Sequence, residues 1–278
     1  MKIFTTRHEL QQYLLQCRQK GETIGLVPTM GALHAGHLSL LALARQQCDV
    51  SVCSIFVNPT QFTNPDDLQN YPRPIEADIA KLTAAGCDVL FNPGVNEMYA
   101  ANEQWHIELG ELENLLEGKF RPGHYQGVTQ VVFKLFDIVK PNLAYFGQKD
   151  YQQVLVITKM VQLLNLPVKL VMVPISREGE GLAMSSRNIH LTAEDRQQAL
   201  VLSKALLWVK DNFNGHNLQQ VTAEAITMIS SQPGLTLEYF EIADGDTLLP
   251  ATEANPHLVA LTAAQVGKTR LIDNMIIR

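Results

Sequence analysis

Between residues 1 and 175, short apolar runs alternate with amphipathic stretches. Thr23–Val27, Val50–Val57, Asp88–Phe91, Leu143–Phe146 and Val168–Val173 are apolar runs that each predict a strand buried on both faces. In His8–Arg18, Leu10, Leu14 and Leu15 recur at helical spacing. Leu38–Gln46, Ile75–Ala85, Val128–Val139 and Tyr151–Leu164 predict further helices. Strands that alternate with helices in this way predict an α/β fold, a Rossmann-like doubly wound parallel sheet. Such a sheet binds its ligand at the carboxyl ends of the strands.

The pattern changes near Ser176–Gly181. Thr192–Phe213 reads as a helix with Thr192 as N-cap and Glu194 and Asp195 in its first turn. Leu218–Ser231 reads as a second helix, stopped by Pro233-Gly234. Strand-like runs follow at Leu235–Ala243, His257–Ala264 and Thr269–Ile276. Two domains are therefore expected: 1–175, Rossmann-like, and 176–278, a smaller α+β domain suited to act as a lid.

Composition narrows the class. The chain has 278 residues, 46% hydrophobic and 18% charged, as in ordinary globular enzymes. A net charge of −6 argues against a general nucleic-acid binder but not against ATP, which a few local cations can hold. The opening Met1-Lys2-Ile3-Phe4 carries no long apolar leader, and no window is long and apolar enough for a membrane span. The expected address is the cytoplasm, with no membrane partner. Cys17, Cys48, Cys53 and Cys87 form no CxxC pair and read as buried, reduced thiols.

Candidate chemistry gathers where predicted strands end. Pro28-Thr29-Met30-Gly31-Ala32-Leu33-His34-Ala35-Gly36-His37 joins a strand to a helix. Helix N-termini favour anions, glycines let a phosphate approach the main chain, and imidazole N–H groups stabilise charge that grows during reaction. The stretch predicts a polyphosphate cradle for ATP. A zinc site at His34 and His37 lacks an apparent third ligand. In Ser54–Phe62, Asn58 and Gln61 are neutral amides that can grip hydroxyls and carboxylates without adding a competing base. In Phe146–Gln153, Gly147 ends a strand, Lys149 offers a point charge to phosphate, Asp150 can accept from ribose hydroxyls or cap the helix, and Gln153 faces inward. Gly181–Asn188 supplies two hydroxyls and a guanidinium, preceded by Glu178-Gly179-Glu180-Gly181, which reads as a mobile closing segment. Arg121–Gly127 reads either as a substrate-covering loop or as a plain turn.

Taken together, Pro28–His37, Ser54–Phe62, Arg121–Gly127, Phe146–Gln153 and Gly181–Asn188 closely resemble the pantoate–β-alanine ligases. These belong to the nucleotidylyltransferase superfamily, whose HIGH signature His34-Ala35-Gly36-His37 resembles. The resemblance implies an ATP-dependent ligation: pantoate is adenylated with release of pyrophosphate, and β-alanine then displaces AMP to give pantothenate. It implies ATP contacts at Met30, Gly31, Ala32, Leu33, His34, Ala35, Gly36, His37, Gly147, Gln148, Lys149, Asp150, Ser176, Met184, Ser185, Ser186 and Arg187. His37 is the implied proton donor, with His34 and Lys149 beside it on the phosphates. Gln61 and Gln153 are the implied pantoate ligands, with Gln61 also facing β-alanine and Asn58 close by. Mg²⁺ is implied with ATP, without a named protein ligand, and so is a homodimer. The chain departs from the family at two places: Ser176 replaces a usually apolar residue, and Gln148 a common glutamate. A nucleotidyl transferase without the ligation step, and a silent ATP-binding regulator, are the competing readings. The neutral Gln61/Gln153 pair weighs against the first, and retention of His34, His37 and Lys149 against the second.

Overall fold

Six parallel strands form the main sheet of the computed structural model, which describes residues 1–278. They are β1 (Lys2–Phe4), β2 (Ile24–Thr29), β3 (Val50–Ile55), β4 (Val89–Phe91), β5 (Leu143–Gly147) and β6 (Lys169–Val173). Their spatial order is β1-β4-β3-β2-β5-β6, with every neighbouring pair parallel. β2 pairs with β3 on one side and β5 on the other, so the strand order reverses there. The crevice outside the carboxyl ends of strands at such a reversal is where open α/β sheets bind ligands. All six residues of β3 are buried, as a strand covered on both faces requires.

The connecting helices are α1 (Arg7–Gln19), α2 (Ala35–Gln47), α3 (Pro65–Asn70), α4 (Ile75–Ala84), α5 (Val95–Met98), α6 (Leu116–Phe120), α7 (His124–Val139) and α8 (Tyr151–Leu163). Val27, Leu33, Leu41, Cys53, Leu82 and Leu90 join one core, to which β2, β3, β4, α2 and α4 all contribute. β1 was not expected: it is an edge strand whose Lys2 and Ile3 are exposed, whereas the equally short β4 is buried throughout and apolar. α7 begins at His124, ahead of the expected Val128, because Gly123 turns the chain at φ +79° and Gly127 is carried inside the first helical turn.

The fold divides into two units: Met1–Gly147 with Val156–Val173, and Gln148–Leu155 with Pro174–Arg278. In the second, α9 (Ala193–Asn212) and α10 (Leu218–Ser230) precede the antiparallel strands β7 (Leu235–Asp244), β8 (Leu258–Val266) and β9 (Thr269–Ile276), in the order β7-β8-β9. Thr192 and Asp195 close a reciprocal capping box on α9. Leu200, Leu206, Val209, Ile229, Phe240 and Leu258 belong to this unit's core. The four cysteines are free; Cys17, Cys53 and Cys87 are buried, whereas Cys48 is half-buried. Burial pushes the thiols upward, which keeps them protonated. No helix is long and apolar enough to cross a membrane.

Candidate active site

In the first unit, the chain leaves β2 through a loop in which the Gly31, Ala32 and Leu33 N–H groups are already engaged. The Thr29 hydroxyl donates to Ser54 O at 2.7 Å and accepts the Gly31 N–H at 3.1 Å. The Asp78 carboxylate on α4 accepts the Ala32 and Leu33 N–H groups at 2.7 and 2.8 Å. Lys81, one turn on, donates to Leu33 O at 2.6 Å. Gly31 and Ala32 lie at φ +85° and +49°, and a Cβ on Gly31 would stand 3.1 Å from both Asp78 Oδ2 and Ile55 Cγ2. Gly31 lets the loop turn closely against Asp78.

The donors that remain characteristic of this loop are the histidines, and the helix start fixes their form. His34 is the N-cap of α2, and its Nδ1 accepts the Gly36 N–H at 3.2 Å. His37 Nδ1 accepts the His34 N–H at 3.4 Å, which closes a reciprocal capping box. The rings face each other with centroids 4.0 Å apart. Because each Nδ1 accepts, each neutral imidazole carries its proton on Nε2. Both rings are half-buried. The helix N-terminus adds its positive end to this pair.

At the end of β3, the 3-10 turn Pro59–Gln61 packs on α7. Asn58 is 1% exposed and fully engaged. Its amide nitrogen donates to Gln61 Oε1 at 3.0 Å and to Gly127 O at 3.1 Å, while its oxygen accepts from the Tyr99 hydroxyl at 2.6 Å. Such a residue holds Gln61 in place and has no polar atom to spare for a substrate. Gln61 Nε2 reaches Met30 Sδ at 3.2 Å, so the structure brings the neutral amide against the start of the histidine loop. Burial pushes the Tyr99 phenol up to about 12.

In Arg121–Gly127, Pro122–Gly123 is a turn, as one of the two readings had it, and from His124 onward the segment is helix that braces the Pro59–Gln61 turn. His124 Nδ1 lies 2.8 Å from Gln61 O, while its Nε2 lies 3.2 Å from Arg121. A carbonyl and a guanidinium as neighbours require the tautomer with Nδ1 protonated. A Cβ on Gly127 would come within 2.2 Å of Thr60 O and 2.7 Å of Gln61 N, so only glycine lets α7 approach.

In the second unit, Gln148–Asp150 is a 3-10 turn before α8. Lys149 Nζ lies 3.8 Å from Asp150 Oδ1, and the Asp150 side chain is 49% exposed. Gln153 is half-buried, beside the buried Gln152. Ser176–Met184 is a hairpin: Met184 N–H donates to Ser176 O, and Arg177 bridges Ala183. Ser185 caps the following 3-10 turn Ser186–His190 by accepting the Arg187 N–H at 3.2 Å. The Glu178 carboxylate takes Arg196 at 2.5 Å and Asn188 Nδ2 at 2.8 Å. The segment expected to be mobile at Glu178–Gly181 is thus tied at its base. Lys149 and Ser185 line one recess together with Asp273.

Asp78, Tyr99 and His124 escaped the sequence reading. Asp78 had a signal: it occupies an apolar-stripe position among Ile75, Ile79 and Leu82, where a carboxylate must find partners.

The comparisons with known proteins extend along the whole chain. The family model described as pantoate-beta-alanine ligase matches residues 2–276. A pantothenate synthetase of Koribacter versatilis is 48% identical over 280 residues, covering 100% of this chain and 96% of that one. One from Porphyromonas gingivalis is 46% identical, covering 99% of each. The crystal structure of pantothenate synthetase from Thermus thermophilus superposes with a TM-score of 0.94 at 42% identity, covering 100% and 99% of the two chains. That of pantoate-beta-alanine ligase from Francisella tularensis, complexed with beta-gamma ATP and beta-alanine, gives 0.82 at 37%, covering 100% and 98%. The chain belongs to the pantoate–β-alanine ligase family.

Proposed function

We propose that this enzyme makes pantothenate in two steps. The pantoate carboxylate attacks the α-phosphorus of ATP; a new O–P bond forms, and the bond to pyrophosphate breaks. The amine of β-alanine then attacks the acyl carbon, the amide forms, and AMP leaves with the electron pair of the cleaved C–O bond. The released amine proton goes to solvent. A carboxylate repels nucleophiles, whereas its mixed anhydride with AMP carries a good leaving group.

The observation that carries this reading is the capped histidine pair with Gln61 held beside its loop. His34 and His37 offer Nε2–H groups to oxygens on the transferring phosphates, and such prearranged donors stabilise charge as it develops. Met30–His37 serves the nucleotide through these rings and the end of α2. Gly147, Gln148, Lys149 and Asp150 form the second nucleotide loop, with Lys149 on phosphate and Asp150 near ribose. Ser176, Met184, Ser185, Ser186 and Arg187 form the third. Gln61 and Gln153 bind pantoate, Gln61 also meets β-alanine, and Asn58 acts through Gln61.

No group of three or more His, Cys, Asp or Glu residues gathers to hold a metal. These residues fit Mg²⁺ that arrives on the triphosphate, ligated by phosphate oxygens and water. When bound, it neutralises phosphate charge. Residues 1–175 supply the histidine loop, the Lys149 loop and the pantoate glutamines, and 176–278 the Ser176–Arg187 loop, in a cytoplasmic homodimer.

The test is incubation with ATP, Mg²⁺, pantoate and β-alanine while AMP, pyrophosphate and pantothenate are followed. Omission of β-alanine should leave a bound acyl-adenylate and one pyrophosphate per site. AMP release without pantoate, or ADP as product, would refute the scheme.

A further inference from the structure

β9 carries an aspartate and an asparagine side by side, Asp273 and Asn274, which are 4% and 2% exposed. Buried polar groups need partners, and this pair finds them in two different loops. Asn274 Nδ2 donates to the carbonyls of Gln148 and Lys149 at 3.0 and 2.9 Å. Its Oδ1 accepts from Gln148 Nε2 at 3.1 Å. The two carbonyls can only accept, so they fix which way the amide points. Position 148 must then supply a donor, which glutamine does and an ionised glutamate does not. Gln148, a departure when seen in the sequence, is therefore matched to Asn274.

Asp273 receives Arg177 on both oxygens, at 2.7 and 3.0 Å. A forked pair of this kind fixes direction as well as distance. Burial raises the Asp273 pKa against the pull of Arg177. The same guanidinium donates to Gly181 O at 3.0 Å and to Asn274 O at 3.4 Å. Gly181 sits in the hairpin that leads to Met184–Arg187. The recess shared by Lys149, Ser185 and Asp273 is walled by Leu182, Leu202 and Leu271, so both loops and the strand converge there.

We infer that Asn274 and the Asp273–Arg177 pair are positioning residues for adenylation: they fasten the Lys149 loop and the Ser185–Arg187 loop to one strand and so set the spacing of their cations and hydroxyls. This rests on the reading that both loops bind the phosphates of ATP. Misplacing a reacting group by about an ångström costs far more rate than it costs stability.

The experiment is pantoate-dependent exchange of labelled pyrophosphate into ATP, measured for Asn274→Ala, Lys149→Ala and the double variant, with melting temperatures. Folded Asn274→Ala should exchange about tenfold more slowly at saturating ATP, and should add almost nothing in the Lys149→Ala background, because the clamp acts through that lysine. Wild-type exchange by folded Asn274→Ala, or the same tenfold loss in both backgrounds, would overturn the inference. If Asn274→Ala does not fold, Gln148→Met decides by the same cycle, since it removes, from a half-buried position, only the side-chain donor to Asn274 Oδ1. Full exchange by Lys149→Ala would instead defeat the underlying assignment of that lysine, whatever Asn274 does.

Discussion

The carboxylate of Asp78 reaches back 45 residues along the chain to accept the N–H of Leu33 at 2.8 Å. Its other oxygen takes the N–H of Ala32. A carboxylate inside an α4 stripe of isoleucine and leucine thus holds the loop that delivers His34 and His37. Asp78→Asn keeps the size but turns one acceptor into a donor facing an N–H. It should cost about 1–3 kcal/mol of stability, the usual penalty for an unmatched buried polar group. Pyrophosphate release should fall with it. Thermal unfolding and initial-rate assays on one preparation check both.

His37 serves the helix start and the phosphates at once, and two substitutions separate these tasks. His37→Ala loses both; His37→Asn retains an acceptor near the His34 N–H but loses the distant Nε2–H. Both variants should slow adenylation by on the order of a hundred- to a thousandfold, the cost of removing one donor from a charge-stabilising site. Only His37→Ala should also lose about 1 kcal/mol of capping energy. Normal pyrophosphate release by His37→Asn would contradict the assigned role.

Gly127→Ala places a methyl group 2.2 Å from the Thr60 carbonyl oxygen. α7 must then back away from the turn that carries Gln61, at about 1–3 kcal/mol for overpacking. KM for pantoate should rise more than KM for ATP, as steady-state kinetics with each substrate varied will show.

Tyr99 gives a pH signature. Its hydroxyl donates to Asn58, and burial raises its pKa from 10.0 to about 12. The folded chain holds this proton where the unfolded chain has released it. The resulting stability is complete below about pH 10 and is lost as pH rises toward 12. Tyr13, Tyr145 and Tyr151 are raised as well, so wild-type melting temperature should fall across that window. Tyr99→Phe should start less stable at neutral pH and fall less steeply.

Gln153→Ala should weaken pantoate far more than ATP. Equal losses for both ligands, measured by titration calorimetry, would remove Gln153 from the pantoate site.

The chain announced those parts of its architecture that repeat or that end a strand. β2, β3 and β5 were legible because each is a continuous apolar run, and His34, Asn58 and Gly147 because each stands where such a run stops. β1 was not legible, since Lys2-Ile3-Phe4 is a short, largely exposed edge strand with no continuous apolar run. The scaffolding of the site was hidden for a different reason. Asp78, Tyr99 and Asn274 meet their partners across long separations in sequence, and hydrogen bonds of that kind leave no local pattern. Gly31 was legible as important, but only part of its setting was. Its positive φ was predictable from its type, whereas the carboxylate waiting beside it was not.

The capping box on α2 also limits how this sequence can drift. Lysine or arginine at either histidine would bring a donor but no acceptor for the backbone; serine or aspartate would keep the acceptor but lack the outward Nε2–H. Imidazole alone sets the two on opposite edges of one rigid ring. A substitution that keeps only one of the two functions therefore gives up either the helix entrance or the donor that faces away from it.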